Sequence, residues 1–474
     1  MVDVPDILQA QRGHVVAPAG CGKTELIAKT IAQASGKPVL VLTHTTAGVA
    51  ALRQRLKRDA VPASNYRLNT IAGWALNMIS MFPERAGYVH DPVQAPNYVA
   101  VQNAVGRLCT SGDINPEIAA TYSRILVDEY QDCSTSQHLI ISGLANAIPT
   151  VVFGDPMQAL FGFGNDPLPD WNSQVVPVFP KLGRLDIPWR WNNAKAYDLG
   201  FWLLAVREAL EANQSIDLRT LPARVKWFPL STDQNMNISA QLSLQYEITR
   251  VSKGEKILII GDSKQAESRH SFASRAHGVG VVEPVEFRDV VDFANRIDGK
   301  FGEALLDECI AFLVMVMTNV YGDQLKSRIR SILSHRNRTA PTAPELAAIT
   351  LFQDGSYAEA VGFLKSMASD RNRRVYRLSA FDVMIEALQI TTTTQGTNLP
   401  SIIAGLREQR RHAGRIIPPK AIGSTLLLKG LEADHVVILD ADRPGNPMSK
   451  AHLYVALTRG AKSVSVFSRS PILP

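Results

Sequence analysis

The chain has 474 residues, of which 46% are hydrophobic and 20% are charged, a balance typical of folded proteins rather than disordered ones. Its 50 lysines and arginines against 44 aspartates and glutamates give a net charge of +6, which by itself says little about partners. Four scattered cysteines exclude a disulfide-stapled secreted scaffold, and no Cys/His spacing indicates zinc.

The ends and the hydropathy of the chain give no sign of a membrane. No apolar run approaches the roughly 20 residues of a spanning helix. The first residues, MVDVPDILQAQR, lack the basic start and the apolar stretch of a signal peptide. We therefore expect a cytoplasmic protein with no membrane partner, divided into roughly two to four domains.

The first half of the chain alternates strand and helix. Residues 13–17 (GHVVA) and 38–43 (PVLVLT) predict buried strands, each followed by a helix, as at the start of a doubly wound parallel sheet. Two more apolar strands are predicted at 124–127 (RILV) and 150–153 (TVVF). The proline-broken, mostly helical stretch around 60–120 therefore resembles an insertion into one α/β domain.

A second α/β pattern follows. Apolar strands are predicted at 256–261 (KILIIG), 436–440 (VVILD) and 463–467 (SVSVF), and the stretch between the first two is helix-rich. The expected fold is thus α/β: two domains with parallel sheets, each interrupted by a mostly helical insertion. Basic runs lie in the second insertion, and they fit either duplex-backbone contacts or ordinary solvated helix faces; the runs are 326–338, 371–377 and 407–420.

The strongest motif is 17–24 (APAGCGKT), which follows a strand and opens a helix, as a phosphate-binding loop does. Glycines 20 and 22 allow backbone N–H groups to face phosphate oxygens. Lys23 can reach the β- and γ-phosphates, and the Thr24 hydroxyl can bind Mg²⁺. The pattern begins with Ala17 where glycine is usual. The residues expected to contact the nucleotide are Ala19, Gly20, Cys21, Gly22, Lys23, Thr24 and Glu25. The cysteine in this loop also predicts sensitivity to thiol reagents.

Two further strands end in polar residues. In 125–132 (ILVDEYQD), Asp128 is expected to hold Mg²⁺, and Glu129 to act as general base on the attacking water. In 151–158 (VVFGDPMQ), Gln158 can sense the γ-phosphate through a neutral hydrogen bond. Each pattern alone is also compatible with an ordinary strand–turn, and the upstream loop favours the catalytic interpretation.

The sequence DEYQD, followed by GDPMQALFGF, resembles the UvrD/Rep branch of superfamily 1 helicases. Other segments then follow the family's motif order, with residues in its DNA-track motifs altered: His44, Ala72, Gly164 and Leu426. The matching segments are 39–56 for motif Ia, 70–74 (TIAGW) for Ib, 185–190 (LDIPWR) for IV, 425–432 (TLLLKGLE) for V and 454–459 (YVALTR) for VI.

The resemblance implies two RecA-like domains that bind ATP and Mg²⁺. Arg190 and Arg459 would be arginine fingers, and Glu432 would contact the ribose. The adenine-binding glutamine motif is truncated, and Gln9 or Gln11 would take its place. The implied domains are 1–69 with 121–184 (1A), 70–120 (1B), 185–284 with 416–474 (2A), and 285–415 (a 2B-like insertion).

The resemblance also implies a single-stranded DNA track lined by aromatic faces. The candidates are His44, Trp74, Phe161 and Phe163, with Trp189 beside motif IV, and core packing is the alternative for each. The expected partner is single-stranded or partly duplex DNA.

The motifs and the resemblance together predict an ATP hydrolase, a DNA helicase or translocase on single-stranded DNA. The direction of movement, 3′ to 5′, is implied by the resemblance alone. The alternative is a DNA-sensing regulatory ATPase that controls a partner nuclease, of the OLD-family type found in anti-phage defence, with little unwinding. The altered track residues and a length that is short for the family, with no fused nuclease expected, favour keeping this alternative.

Overall fold

The computed structural model describes residues 2–91, 96–162, 164–394, 398–413 and 417–474. The chain divides into two compact units. The first comprises Met1–Trp227, Ala441–Ser463 and Ser470–Pro474, and the second comprises Phe228–Asp440 and Val464–Arg469.

The first unit is built on a six-stranded sheet in the order β3-β2-β4-β5-β1-β6. All five strand pairs are parallel. The central strands are buried and mostly apolar, as expected when helices cover both faces of a sheet. The strands are β1 (Arg12–Val16), β2 (Val39–Thr43), β3 (Tyr66–Thr70), β4 (Ile125–Asp128), β5 (Thr150–Gly154) and β6 (Lys181–Arg184).

Helices connect these strands, and among the residues that the structure describes four helices lie in the predicted insertion between β3 and β4. That insertion packs around a core containing Trp74, Val101 and Ile118. The helices are α1 (Val4–Gln9), α2 (Lys23–Gln33), α3 (Thr46–Arg58), α4 (Ile71–Met81), α5 (Pro83–Ala86), α6 (Tyr98–Ser111), α7 (Asn115–Thr121), α8 (Thr135–Leu144), α9 (Val176–Val178), α10 (Trp189–Asn193) and α11 (Tyr197–Glu211). A short strand, β7 (Ile216–Asp217), follows.

The second sheet also has six strands, in the order β10-β11-β9-β12-β13-β8. Its β10–β11, β11–β9 and β9–β12 pairs are parallel. The elements around it are β8 (Val225–Pro229), α12 (Gln234–Val251), β9 (Ile257–Ile260), α13 (Ala266–Arg275), β10 (Gly280–Val281), β11 (Lys420–Gly423), β12 (Ala433–Ile438), α21 (Lys450–Leu457), β13 (Gly460–Ser468) and β14 (Ile472–Leu473).

Seven helices of the described residues lie between β10 and β11, where the second insertion was expected. Their apolar side chains form one core, in which the rings of Phe293 and Phe312 stack with centroids 4.7 Å apart. The helices are α14 (Arg288–Ile297), α15 (Gly302–Val316), α16 (Gly322–Leu333), α17 (Ala343–Asp354), α18 (Tyr357–Ala368), α19 (Leu378–Thr393) and α20 (Leu399–Ala413). The α/β fold class with two helical insertions is therefore confirmed. Among the described residues, no helix is long and apolar enough to cross a membrane.

The compact units differ from the domain boundaries expected from the sequence. Residues 185–227 and 441–463 were expected in the second domain, yet they pack with the first unit. The Trp191 indole donates a hydrogen bond to the Gly460 carbonyl at 2.8 Å, and β14 pairs antiparallel with β7. The sequence-based domain assignment stays a prediction.

Candidate nucleotide site

The glycine-rich loop lies between β1 and α2, at the edge where the parallel strands of the first sheet end. Gly20 (φ 70°) and Gly22 (φ 88°) both have left-handed backbones, which other residues adopt at a cost. A Cβ atom at Gly20 would also lie 2.8 Å from the Trp191 ring, and one at Gly22 would lie 3.0 Å from Trp189. Glycine is thus required at both positions by conformation and by close approach.

Lys23 begins α2 and binds both carboxylates of the DEYQD motif. Its Nζ lies 2.9 Å from Asp128 Oδ1 and also forms an ion pair with Glu129. Burial disfavours the ammonium, but the two carboxylates more than offset this, so the pKa of Lys23 is raised. The contact follows from topology, because β1 and β4 run parallel and deliver their following residues to one edge.

Glu129 has an unusual backbone, with φ at 54° in the left-handed region. Such strain in a residue other than glycine persists only where the surroundings enforce it, and it concentrates at functional sites. Gln131 Nε2 donates to Glu129 Oε2 at 2.5 Å, and the Glu129 N–H donates to Asp128 Oδ1 at 2.9 Å. The carboxylate is therefore held in one orientation and remains partly exposed.

A cavity of about 470 Å³ opens beside the loop. Trp189, half exposed, forms part of its wall with Cys21, Gly22 and Leu185. Glu25 lies on the same wall and pairs with three cations, Lys29, Arg55 and Arg58. This combination of an aromatic wall, apolar side chains and a few charged groups is typical of small-molecule sites. Thr24, the second residue of α2, is half-buried and precedes Glu25 in the chain.

Gln158 and Arg459 meet in the first unit although they come from different motifs. Arg459 Nη2 lies 3.5 Å from Gln158 Oε1, and both residues are buried. Gln158 is oriented by Asp155, whose Oδ2 accepts from its Nε2 at 3.1 Å. Two of the predicted site residues are thus brought together.

Arg190 and Tyr454 bring α10 and α21 to the glycine-rich loop. The backbone N–H of Arg190 donates to the Gly20 carbonyl at 3.1 Å, and its Nη1 donates to the Thr458 carbonyl at 2.5 Å. The Ala19 N–H donates to the Tyr454 hydroxyl at 3.3 Å. The structure therefore places Arg190, the glycine-rich loop and Arg459 in one neighbourhood.

Within the first unit, the predicted adenine contact is not close to the glycine-rich loop. Gln11 is exposed and precedes β1, whereas the loop follows it, so the length of the strand, roughly 17 Å, separates them. Gln9, its alternative, ends α1 on the same side of β1. Glu432 belongs to the second unit, where it is exposed just before β12. Its contact with a ribose stays a prediction.

The DNA-track candidates divide into two kinds. His44 and Phe161 are half-buried and their ring centroids lie 5.5 Å apart, beyond the ends of β2 and β5. Trp74 is 2% exposed inside the core of the first insertion, so core packing is the correct alternative and its face cannot stack on a base. Phe163 lies outside the described residues.

The thiol of Cys21 does not fit the expected sensitivity to thiol reagents. Its side chain is 3% exposed, and burial raises its pKa to about 12. Because the thiolate is the reactive form, this expectation is corrected: the loop position alone does not activate the cysteine.

The structure adds site residues that the motifs left without a role. Gln131 holds Glu129, Tyr454 contacts the loop, and Asp155 forms a buried ion pair with Arg207 of α11. Arg207 had one available signal, since it follows Leu203 by four residues on the apolar face of its helix. A lone arginine on a helix is otherwise interpreted as a surface cation.

The first unit has a parallel α/β sheet, and a glycine-rich loop joins β1 to α2 at the edge where the strands end. Residues 98–166 match the UvrD/REP helicase N-terminal domain, a segment that contains DEYQD and GDPMQ but not the glycine-rich loop. This match confirms the predicted UvrD-like resemblance and supports a nucleic-acid helicase.

Comparison with other known proteins gives weaker likenesses. No curated protein matches the chain. The arterivirus nonstructural protein 10 helicase in complex with DNA is 9% identical, with a TM-score of 0.37, and the match covers 98% of this chain and 62% of that one. The same arterivirus helicase in a second crystal structure is 10% identical, with a TM-score of 0.32 and coverages of 98% and 61%.

Proposed function

We propose that this protein is an ATP-dependent DNA helicase or translocase that couples ATP hydrolysis to 3′-to-5′ movement on single-stranded DNA. The observation that carries the proposal is the contact of Lys23 with Asp128 and Glu129. A cation and two carboxylates at the strand edge, beside a glycine-rich loop that opens a helix, are the groups needed for phosphoryl transfer to water. The direction of movement rests on the UvrD-like resemblance.

In the first step the triphosphate of ATP binds the loop. Backbone N–H groups around Gly20 and Gly22, together with the start of α2, favour its negative charge. Lys23 exchanges its carboxylate partners for phosphate oxygens, which frees Glu129. The base enters the cavity beside Trp189. The Thr24 hydroxyl and the Asp128 carboxylate are the hard oxygen ligands that Mg²⁺ prefers, and a bound Mg²⁺ would neutralise phosphate charge.

In the second step Glu129 accepts a proton from the attacking water. The water oxygen bonds to the γ-phosphorus as the bond to the β-phosphate oxygen breaks, and ADP leaves. Arg459 and Arg190 stabilise the charge that develops on the γ-phosphoryl group, as arginine fingers do. Gln158 contacts Arg459 and follows a strand that ends at the same edge of the sheet as the His44–Phe161 pair. A base of the DNA strand stacks on that aromatic pair. Gln158 therefore couples the charge on the γ-phosphoryl group to the bound DNA.

Steady-state ATP hydrolysis with and without single-stranded DNA tests the proposal. We expect strong stimulation by DNA in the wild type and none in Glu129→Gln, which retains shape but cannot accept the proton. Unwinding of duplexes with 3′ tails but not 5′ tails tests polarity. A rate of ATP hydrolysis that does not change when DNA is added would contradict the proposal that hydrolysis drives movement on DNA. The absence of hydrolysis with and without DNA would contradict the proposal that the protein is an ATP hydrolase.

The regulatory alternative, with an OLD-family nuclease as partner and a role in anti-phage defence, stays a prediction. No contact among the described residues bears on a nuclease.

A further inference from the structure

Arg207 is a buried charge that none of the sequence motifs includes. It lies on α11 with 1% of its side chain exposed. Its Nε and Nη2 donate to Asp155 Oδ1 at 3.1 and 2.8 Å, and its Nη1 donates to Glu211 at 2.7 Å. Burial lowers the pKa of Arg207, but the neighbouring Asp155 carboxylate more than offsets this. The pKa is therefore raised overall, and the guanidinium stays charged.

Asp155, the partner of Arg207, joins two parts of the proposed active site. Its second oxygen, Oδ2, accepts from Gln158 Nε2 at 3.1 Å. Its backbone N–H donates to Gln131 Oε1 at 3.1 Å, and Gln131 in turn donates to Glu129. Asp155 thus contacts Gln158, which faces Arg459, through its side chain. Through its backbone it contacts Gln131, which holds the proposed general base Glu129.

A buried ion pair is an inefficient way to stabilise a fold. Desolvating two charges costs several kcal/mol, about as much as their attraction returns, and apolar pairs of similar volume often do as well. What the guanidinium provides beyond packing is geometry. Its planar fork fixes the orientation of a carboxylate through two N–H groups, which the single ammonium of lysine does not do.

We propose that Arg207 is a positioning residue for ATP hydrolysis. By fixing the rotamer of Asp155 it aims the Gln158 amide at Arg459. The inference rests on the proposed function and adds to it a residue that touches neither nucleotide nor DNA. It places the control of kcat partly in α11, outside the sequence motifs.

The test is a double-mutant cycle between Arg207→Lys and Gln158→Ala, measured as kcat and KM for ATP with saturating single-stranded DNA. We expect Arg207→Lys to lower kcat roughly 10- to 100-fold, because small misplacements of catalytic groups cost this much. KM should change less than about twofold, since the contacts of Lys23 and the loop are intact. In the double variant the losses should not multiply, because Arg207 acts through Gln158.

Arg124→Lys is the matched control. Arg124 is another buried arginine of the first unit, but it lies before β4, at the opposite edge of the sheet, and donates to the Ile7 and Leu8 carbonyls. We expect this variant to lose thermal stability and to keep kcat. Should Arg207→Lys not fold, the pair Arg207→Met with Asp155→Asn removes both charges together, and it should fold with a lowered kcat.

The outcomes separate the two proposals. Losses that multiply in the cycle, a kcat unchanged in Arg207→Lys, or a normal kcat in the charge-free pair would each overturn the inference while ATP hydrolysis stands. A wild type that does not hydrolyse ATP with or without DNA overturns the proposed function and this inference with it.

Discussion

Arg459 Nη2 lies 3.5 Å from Gln158 Oε1, a contact between residues 301 positions apart in the sequence. Arg459 Nε also donates to the Val455 carbonyl at 2.9 Å. This hydrogen bond ties the guanidinium to the backbone of α21. The two residues were assigned to the γ-phosphate from separate motifs. Because the two side chains are in contact, the energetic coupling between them can be measured with a double-mutant cycle.

Arg459→Ala should lower kcat for ATP hydrolysis by roughly 10³-fold, because an arginine finger acts on charge that develops only in the transition state. The KM for ATP should change little. Steady-state kinetics with saturating single-stranded DNA provides the measurement. Arg219→Ala is the control, because that arginine pairs with Asp217 on the surface. An equal loss in both variants would show that the effect is not specific to the site.

Lys23→Met should abolish ATP hydrolysis and also destabilise the protein without nucleotide. Lys23 and Asp128 are 13% and 7% exposed, so the variant leaves a buried carboxylate without its cation. Removing one partner of a buried pair costs about 3–5 kcal/mol. Thermal unfolding without ATP measures this cost.

Adding Asp128→Asn to Lys23→Met should recover most of the lost stability but no activity, because the orphaned charge is then gone. Lys29→Met serves as the control, since Lys29 is exposed in its pair with Glu25. A Lys23→Met variant as stable as the wild type would argue that Asp128 is not held by this lysine.

Much of the candidate site could be predicted from sequence because its residues follow directly on buried apolar strands. In a parallel sheet the strands β1 and β4 end at the same edge, which brings Lys23 and Asp128 to one side of the sheet. That only β5 separates the two strands could not be predicted from the sequence. Arg207 could not be predicted, because its role depends on which face of α11 meets the end of β5. Trp74, for which core packing was the alternative to a DNA contact, lies in the core. The sequence could not decide between the two, because it does not show which way an aromatic side chain beside a motif points.

Phe161→Ala should weaken binding to single-stranded DNA by roughly 5- to 150-fold, the equivalent of one base–aromatic stacking contact of about 1–3 kcal/mol. Phe161 pairs with His44 in a half-buried position that leaves ring area for a base. Fluorescence anisotropy with a labelled oligonucleotide at fixed salt concentration measures the dissociation constant.

Trp74→Phe provides the contrast within the same experiment. Because Trp74 fills the core of the first insertion, this variant should lose about 1–3 kcal/mol of stability and bind DNA as the wild type does. The reverse pattern, with weaker DNA binding at unchanged stability, would restore Trp74 as a track residue and remove Phe161 from that role.

Cys21 should react slowly with thiol reagents in the native protein despite its place in the glycine-rich loop. With its pKa raised to about 12 by burial, only about one thiol in 10⁴ is ionised at pH 8. The rate should therefore rise about tenfold per pH unit between pH 7 and pH 9. Rapid labelling of Cys21 that removes ATP binding, and is absent from Cys21→Ser, would contradict the buried geometry. Labelling in denaturant gives the reference rate.

His270 in α13 should stay neutral well below its usual pKa. Burial, with the nearby Arg377 guanidinium, lowers the pKa of His270 to about 4, although Glu283 lies 3.9 Å from its Nε2. The unfolded chain protonates this group near pH 6.5. Between those values the unfolded state binds more protons, so stability falls as the pH falls from about 6.5 towards 4.

The lost stability should reach roughly 3 kcal/mol at pH 4, relative to a His270→Gln variant that does not titrate. Comparing the two proteins isolates His270 from the carboxylates that titrate in the same range. The His270 resonance in a nuclear magnetic resonance titration, assigned by its absence from the variant, should not shift between pH 7 and pH 5. A midpoint near 6.5 would mean that solvent reaches the ring and that the pH dependence of stability has another source.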